Sequence, residues 1–215
     1  MKQADKRRLR RQWGDLMAFY GVAEAQAEVI FADLVTRYEE DGRYYHTLHH
    51  IQNVLETIES LHAYAQDVPA IQLAAWFHDV IYDVRRADNE MQSAVYAGEL
   101  LGKMGLPPKT IAKVDFMIQA TKHNRDCPGD IDCQIMLDAD LATFASDWET
   151  QEKIEQAIRQ EYAYVPDEVY RQGRQAILQN FLNRERIYCT DQMYTEREQA
   201  ARRNIKRSIV ALNDR

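Results

Sequence analysis

The segment Ile71–Tyr82 reads IQLAAWFHDVIY, and it constrains this chain more than any other. It is apolar almost throughout, so a helix here must be buried on most sides. Yet His78 and Asp79 interrupt it. An unpaired buried carboxylate costs several kcal/mol, so Asp79 needs a compensating partner. A metal ion, a buried Asp–His hydrogen bond or an arginine would each supply one. The rest of the chain carries the same helical signal. Phe31, Leu34, Val35 and Tyr38 follow the i, i+3, i+4, i+7 template, as do Ile51, Val54, Leu55 and Ile58 with Leu61 beyond them. Ile154, Ala157, Ile158, Tyr162 and Val165 form another stripe. Eight glycines and five prolines in 215 residues argue against a turn-rich β fold. The expected fold is all-α: one compact domain, residues 1–215, of eight to ten helices. Asp41-Gly42, Val68-Pro69, Gly105-Leu106-Pro107-Pro108 and Pro166 mark boundaries, and the longest turn-like stretch is 124–132.

The net charge of -7 is unevenly spread. Residues 1–12 carry six basic side chains and one acid; residues 196–215 carry six basic and three acidic. The middle is therefore strongly acidic, a poor polyanion binder and a suitable cation binder. No strong nucleic-acid signal follows, and the basic runs read as solvated helix ends. Acidic middle and basic ends suit head-to-tail contact between copies, so a homodimer is an expectation. Cys127, Cys133 and Cys189 form no CxxC pair and are odd in number, which reads as free thiols in a reducing compartment. With no apolar run near the ~20 residues of a membrane span and no apolar leader, the expectation is a cytoplasmic protein without a membrane partner.

Two further segments place polar groups among apolar ones. In YYHTLHHIQNVL, His50 aligns with Val54, Ile58 and Leu61. His46 lies one turn earlier on that stripe, while His49 shares a polar face with Gln52, Asn53 and Glu56. His50 and His46 are thus expected to point inward. In IMLDADLATF, Asp138 and Asp140 interrupt a stripe of Leu137, Leu141, Phe144 and Trp148. Periodicity does not choose between them, and Asp138 also suits an N-cap to a helix beginning at Ala139.

Together the three segments resemble the HD superfamily of metal-dependent phosphohydrolases, whose pattern is a histidine, a distant His-Asp doublet and a later aspartate on separate helices of an all-α domain. The resemblance covers about residues 44–145, with a helical extension at about 146–215. There, EYAYVPDEVYRQGRQAILQNFLNRERIYCT is similar to a subgroup of uncharacterised bacterial predicted HD hydrolases. It implies His50, His78, Asp79 and Asp140 as ligands of a divalent ion (Mn, Mg, Fe, Co, Ni or Zn). It also implies hydrolysis of a nucleotide or other small phosphoester. The same pattern admits a metal-stabilised binding or regulatory module without hydrolysis. Stringent-response HD enzymes carry His-Asp-x-x-Glu-Asp; here Tyr82 stands at the glutamate position, and Asp83 matches. Asp83 and Glu90 are the acid/base candidates. His46, His123, Arg43, Lys122 and Arg125 are candidates for contacting a phosphorylated substrate.

Overall fold

Local capping chemistry sets where several helices begin. Thr47 caps a helix at Leu48–Ser60, accepting from the His49 N–H at 3.3 Å. Asp67 accepts from Ala70 N at 3.1 Å, with Pro69 in the first turn of Val68–Phe77. Asp130 accepts from Cys133 N at 2.8 Å and opens Ile131–Asp140. Asp147 accepts from Thr150 N at 2.9 Å and opens Trp148–Glu161. Each side-chain oxygen satisfies an N–H that the first turn of a helix leaves unpaired. Gly105, at φ +79°, closes a preceding helix in a conformation that other residues resist.

The computed structural model describes residues 3–123 and 127–213. Among these it holds ten α-helices and no strand: α1 (Gln3–Phe19), α2 (Glu24–Tyr38), α3 (Leu48–Ser60), α4 (Val68–Phe77), α5 (Asn89–Lys103), α6 (Pro108–Ala120), α7 (Ile131–Asp140), α8 (Trp148–Glu161), α9 (Asp167–Asn183) and α10 (Asp191–Asn213). The expected all-α bundle of eight to ten helices is what forms. Helices α3, α4 and α7 pack on one another and form the centre. The α5–α6 pair covers α4 through α6, and α1 joins α2 and α4 on another side. Helix α10 packs on α8, α9 and a 3-10 turn at Leu141–Ala145. One hydrophobic core runs from Leu9 in α1 to Ile205 in α10. At its heart Trp13 stacks edge-on against Trp76 at 5.4 Å and donates its indole N–H to Ala27 O at 2.8 Å.

The structure departs from expectation at four places. The helix expected through Ile71–Tyr82 stops at Phe77. The stripe Leu137–Trp148 is not one helix: α7 ends at Asp140, a 3-10 turn follows, and Trp148 opens α8. Asp138 caps nothing at Ala139. It is fully buried inside α7 and accepts from Cys189 N (2.6 Å), Thr190 N (2.8 Å) and the Thr190 hydroxyl (2.7 Å). That hydroxyl in turn accepts from Met193 N at 3.2 Å, so Asp138 seats the first turn of α10. Burial pushes its carboxyl up to about 6 against the pull of these donors.

The fourth departure concerns the cysteines. Cys127 and Cys189 are joined in a disulfide, and Cys133 alone is free. Spacing along the chain could not reveal this, because the partners lie 62 residues apart and meet only when the loop before α7 reaches the start of α10. The inference of a reducing compartment loses its support for those two residues. The Cys133 thiol is buried and pushed up to about 12, which leaves it inert. No helix among the described residues is long and apolar enough to cross a membrane.

Candidate metal centre

Because Thr47 starts α3, His50 falls in its first turn on the buried face shared with Val54 and Ile58, and is 2% exposed. His49 is exposed, as the helical phase requires. The His-Asp doublet lies in the turn that follows α4. Val80 N bonds Phe77 O at 3.2 Å, tightening the chain. The Asp79 and Val80 carbonyls accept from the Arg43 guanidinium at 2.6 and 3.0 Å. Arg43 thus takes the place of another helical turn. It is 8% exposed and also bonds His46 O at 3.3 Å. Its guanidinium holds backbone, so the phosphate role expected of it is corrected.

Asp140, the last residue of α7, completes the cluster. His50 Nε2 lies 3.1 Å from His78 Nε2 and 3.1 Å from Asp140 Oδ1. Asp79 Oδ2 stands 3.0 Å from His78 Nε2 and 3.6 Å from His50 Nε2. The ligating atoms of His50, His78 and Asp140 all lie within 4.8 Å of one another, a group that can hold a metal ion.

His78 and Asp140 are oriented as ligands of a cation would be. His78 Nδ1 lies 2.9 Å from the Ala75 carbonyl, which only accepts, so Nδ1 carries the hydrogen. In the neutral ring Nε2 then holds a lone pair facing the cluster, the tautomer a metal-binding imidazole needs. Asp140 Oδ2 pairs with His123 Nε2 at 2.8 Å, leaving Oδ1 toward His50 and His78. Electrostatics agree. Burial opposes ionisation of Asp79 and Asp140, but the imidazoles outweigh it and hold both carboxyls well below the usual range. Burial likewise opposes charge on His78, yet Asp79 and Asp140 raise its pKa well above the ordinary histidine value. Without a cation, these carboxylates favour a proton on His78 and, beside it, on His46. A divalent ion would replace the proton on His78.

Beside the cluster lies a second buried network. Glu161, at the end of α8, is 5% exposed. Its Oε1 accepts from the N–H groups of Tyr44, Tyr45 and His46 at 2.9, 2.8 and 2.9 Å. Its Oε2 accepts from Tyr82 Oη at 3.1 Å and pairs with His46 Nδ1 at 2.7 Å. Burial works against the charge, but His46 and the backbone donors outweigh it and bring Glu161 down to about 2. His46 shifts upward: Asp79 and Glu161 overcome its burial. His46 precedes α3 and is not on the helix, yet its ring, stacked on Tyr82 at 4.0 Å, still faces inward.

A cavity of about 510 Å³ opens over both networks. His46, Asp79, His123 and Asp140 line its floor, with Tyr45 and Tyr82 beside them. Helices α8 and α9 form the far wall. Glu90 lines it; Asp83 does not. Asp83 is exposed and bonds Arg85 N at 2.9 Å in its own turn. Lys122 is exposed, bonds Ala87 O at 2.8 Å and is not among the lining residues. Arg125 lies outside the described residues. The arginines on the cavity are Arg86 and Arg174. A smaller cavity of about 230 Å³ between α8, α9 and α10 includes no residue of the cluster.

No family model, curated protein or solved structure matches this chain. The site therefore stands on its own geometry. Glu161, Tyr45 and Arg174 are functional candidates that the sequence reading passes over. For Glu161 a signal exists: it falls at i+7 from Ile154 and i+3 from Ile158, on the buried stripe of α8.

Proposed function

We propose that this protein is a divalent-metal-dependent phosphohydrolase of the HD type acting on a small phosphoester. The observation that carries the reading is the meeting of His50 of α3, His78 of the turn after α4 and Asp140 at the end of α7, beside a cavity large enough for a small molecule. His50, His78, Asp79 and Asp140 would hold the ion. When bound, it would supply polarisation of the phosphoryl group and activation of water.

The chain's own residues divide the remaining work. His123 fixes the orientation of Asp140. Glu161 occupies His46 Nδ1, so the other ring nitrogen is the one left for a substrate oxygen. Glu90, the acid candidate that lines the cavity, is kept as the proton carrier in place of Asp83. Of the two arginines on the cavity Arg86 is the more exposed, but Asp88 holds its guanidinium, so it does not stand in for Arg43 and Lys122 as a free cation.

The test is a screen of nucleotides and simple phosphoesters with manganese, run on the wild type and on Asp79→Asn. Metal-dependent phosphate release that the variant lacks supports the proposal. Release that persists in Asp79→Asn, or none from any ester by metal-loaded protein, counts against it.

A further inference from the structure

The charge on the cavity wall limits how much phosphate it can accept. Asp79, Glu90 and Asp140 are acidic lining residues, and Arg86 and Arg174 are basic, a net charge of -1. Neither guanidinium is free. Arg174 binds both oxygens of Glu155 at 2.9 Å, and Arg86 binds both oxygens of Asp88 at 2.9 and 2.8 Å. With both guanidiniums already paired, a divalent ion at the cluster would be the main positive charge left for a phosphate, enough for one phosphomonoester and too little for a triphosphate.

The wall opposite the cluster is apolar. On α9, Val169, Gly173 and Ile177 stand at i, i+4 and i+8, one face of the helix, and all three line the cavity. Val169 is 58% and Ile177 48% exposed, so both present apolar surface on the cavity wall. Gly173 between them is disfavoured in a helix interior, and no atom lies within 4 Å of where its Cβ would stand. What glycine adds there is room. Across the cavity α8 presents Ile154 and Ile158.

We infer that the substrate is a phosphomonoester with an apolar body, its phosphate at the His/Asp cluster and its alkyl or aryl group along the Val169–Gly173–Ile177 stripe. The inference rests on the hydrolase reading above and narrows it. Water attacks phosphorus, the P–O ester bond breaks, and the leaving alkoxide takes up a proton, giving an alcohol and inorganic phosphate.

The experiment compares methyl, butyl and hexyl phosphate, AMP and ATP on manganese-loaded protein, alongside binding of methyl- and hexylphosphonate followed by melting temperature. Burying each methylene should raise kcat/KM up to about fourfold, so hexyl should exceed methyl phosphate by at least tenfold. ATP should fall at least tenfold below hexyl phosphate. Gly173→Leu, which favours the helix, should raise KM for hexyl phosphate at least tenfold more than for methyl phosphate. A flat series overturns the inference; it is the result expected if a second copy of the chain covers the α9 stripe. A preference for ATP overturns it too. Should no ester be hydrolysed, the hydrolase reading fails by itself, and the phosphonates still decide. Stronger stabilisation by hexyl- than methylphosphonate supports the apolar subsite, and equal shifts refute it.

Discussion

Replacing Glu161 with glutamine tests how the loop before α3 is held. The carboxylate accepts three backbone N–H groups through Oε1 and meets His46 Nδ1 and Tyr82 Oη through Oε2. Glutamine keeps an oxygen for the backbone donors but presents N–H to groups that need an acceptor. The folded carboxyl lies at about 2, against 4.5 for its ordinary value. That gap corresponds to about 3 kcal/mol of stability, since each unit is worth about 1.36 kcal/mol. The side chain is wholly buried, so no solvent discount applies. Because the folded pKa is depressed, this stability is fully present above about pH 4.5 and is lost as pH falls toward 2. At neutral pH the variant should unfold about 3 kcal/mol more easily, or about 7 °C lower for a chain of this length. At pH 3 the deficit should shrink to about 1–2 kcal/mol, because the wild type has by then lost much of the same term. Urea titrations at both pH values measure this. A deficit below about 1 kcal/mol at pH 7, or one that does not shrink in acid, would refute the reasoning.

Other substitutions probe neighbouring links. Asp138→Ala should cost about 3–5 kcal/mol in denaturant unfolding, because it strands the buried N–H groups of Cys189 and Thr190 at the start of α10. Arg43→Ala should destabilise by a similar ~3 kcal/mol and weaken metal uptake, since the Asp79 and Val80 carbonyls lose their donor. Reducing Cys127–Cys189, which closes a loop of 62 residues, should lower the melting temperature by up to about 9 °C, from about 4 kcal/mol of chain entropy. Thiol counts before and after reductant check that the bond was present. Saturating manganese, at about a hundred times its Kd, should raise the melting temperature by about 6 °C, and chelator should reverse this.

The fold was readable because its helices are amphipathic and their caps are local. His50 was separable from His49 by helical phase alone, and His78 and Asp79 stood out as polar groups inside an apolar run. Asp140 was harder. It and Asp138 flank the same stripe; periodicity left the choice open, the family resemblance pointed to Asp140, and the tertiary structure places Asp140 in the cluster and Asp138 at the start of α10. The roles of Arg43 and Glu161 depend on partners 36 and up to 117 residues away, which no periodicity encodes. Asp83 was misleading because its place beside the doublet is sequential, while its side chain serves a surface turn.

The proposed activity depends on a cation held by His50, His78, Asp79 and Asp140. Elemental analysis of purified protein, for the wild type and for folded His78→Ala and Asp140→Ala, addresses this directly. About one divalent ion per wild-type chain and none in either variant is expected. A wild type that takes up no ion on exposure to manganese, iron or zinc, or variants that retain theirs, would contradict it.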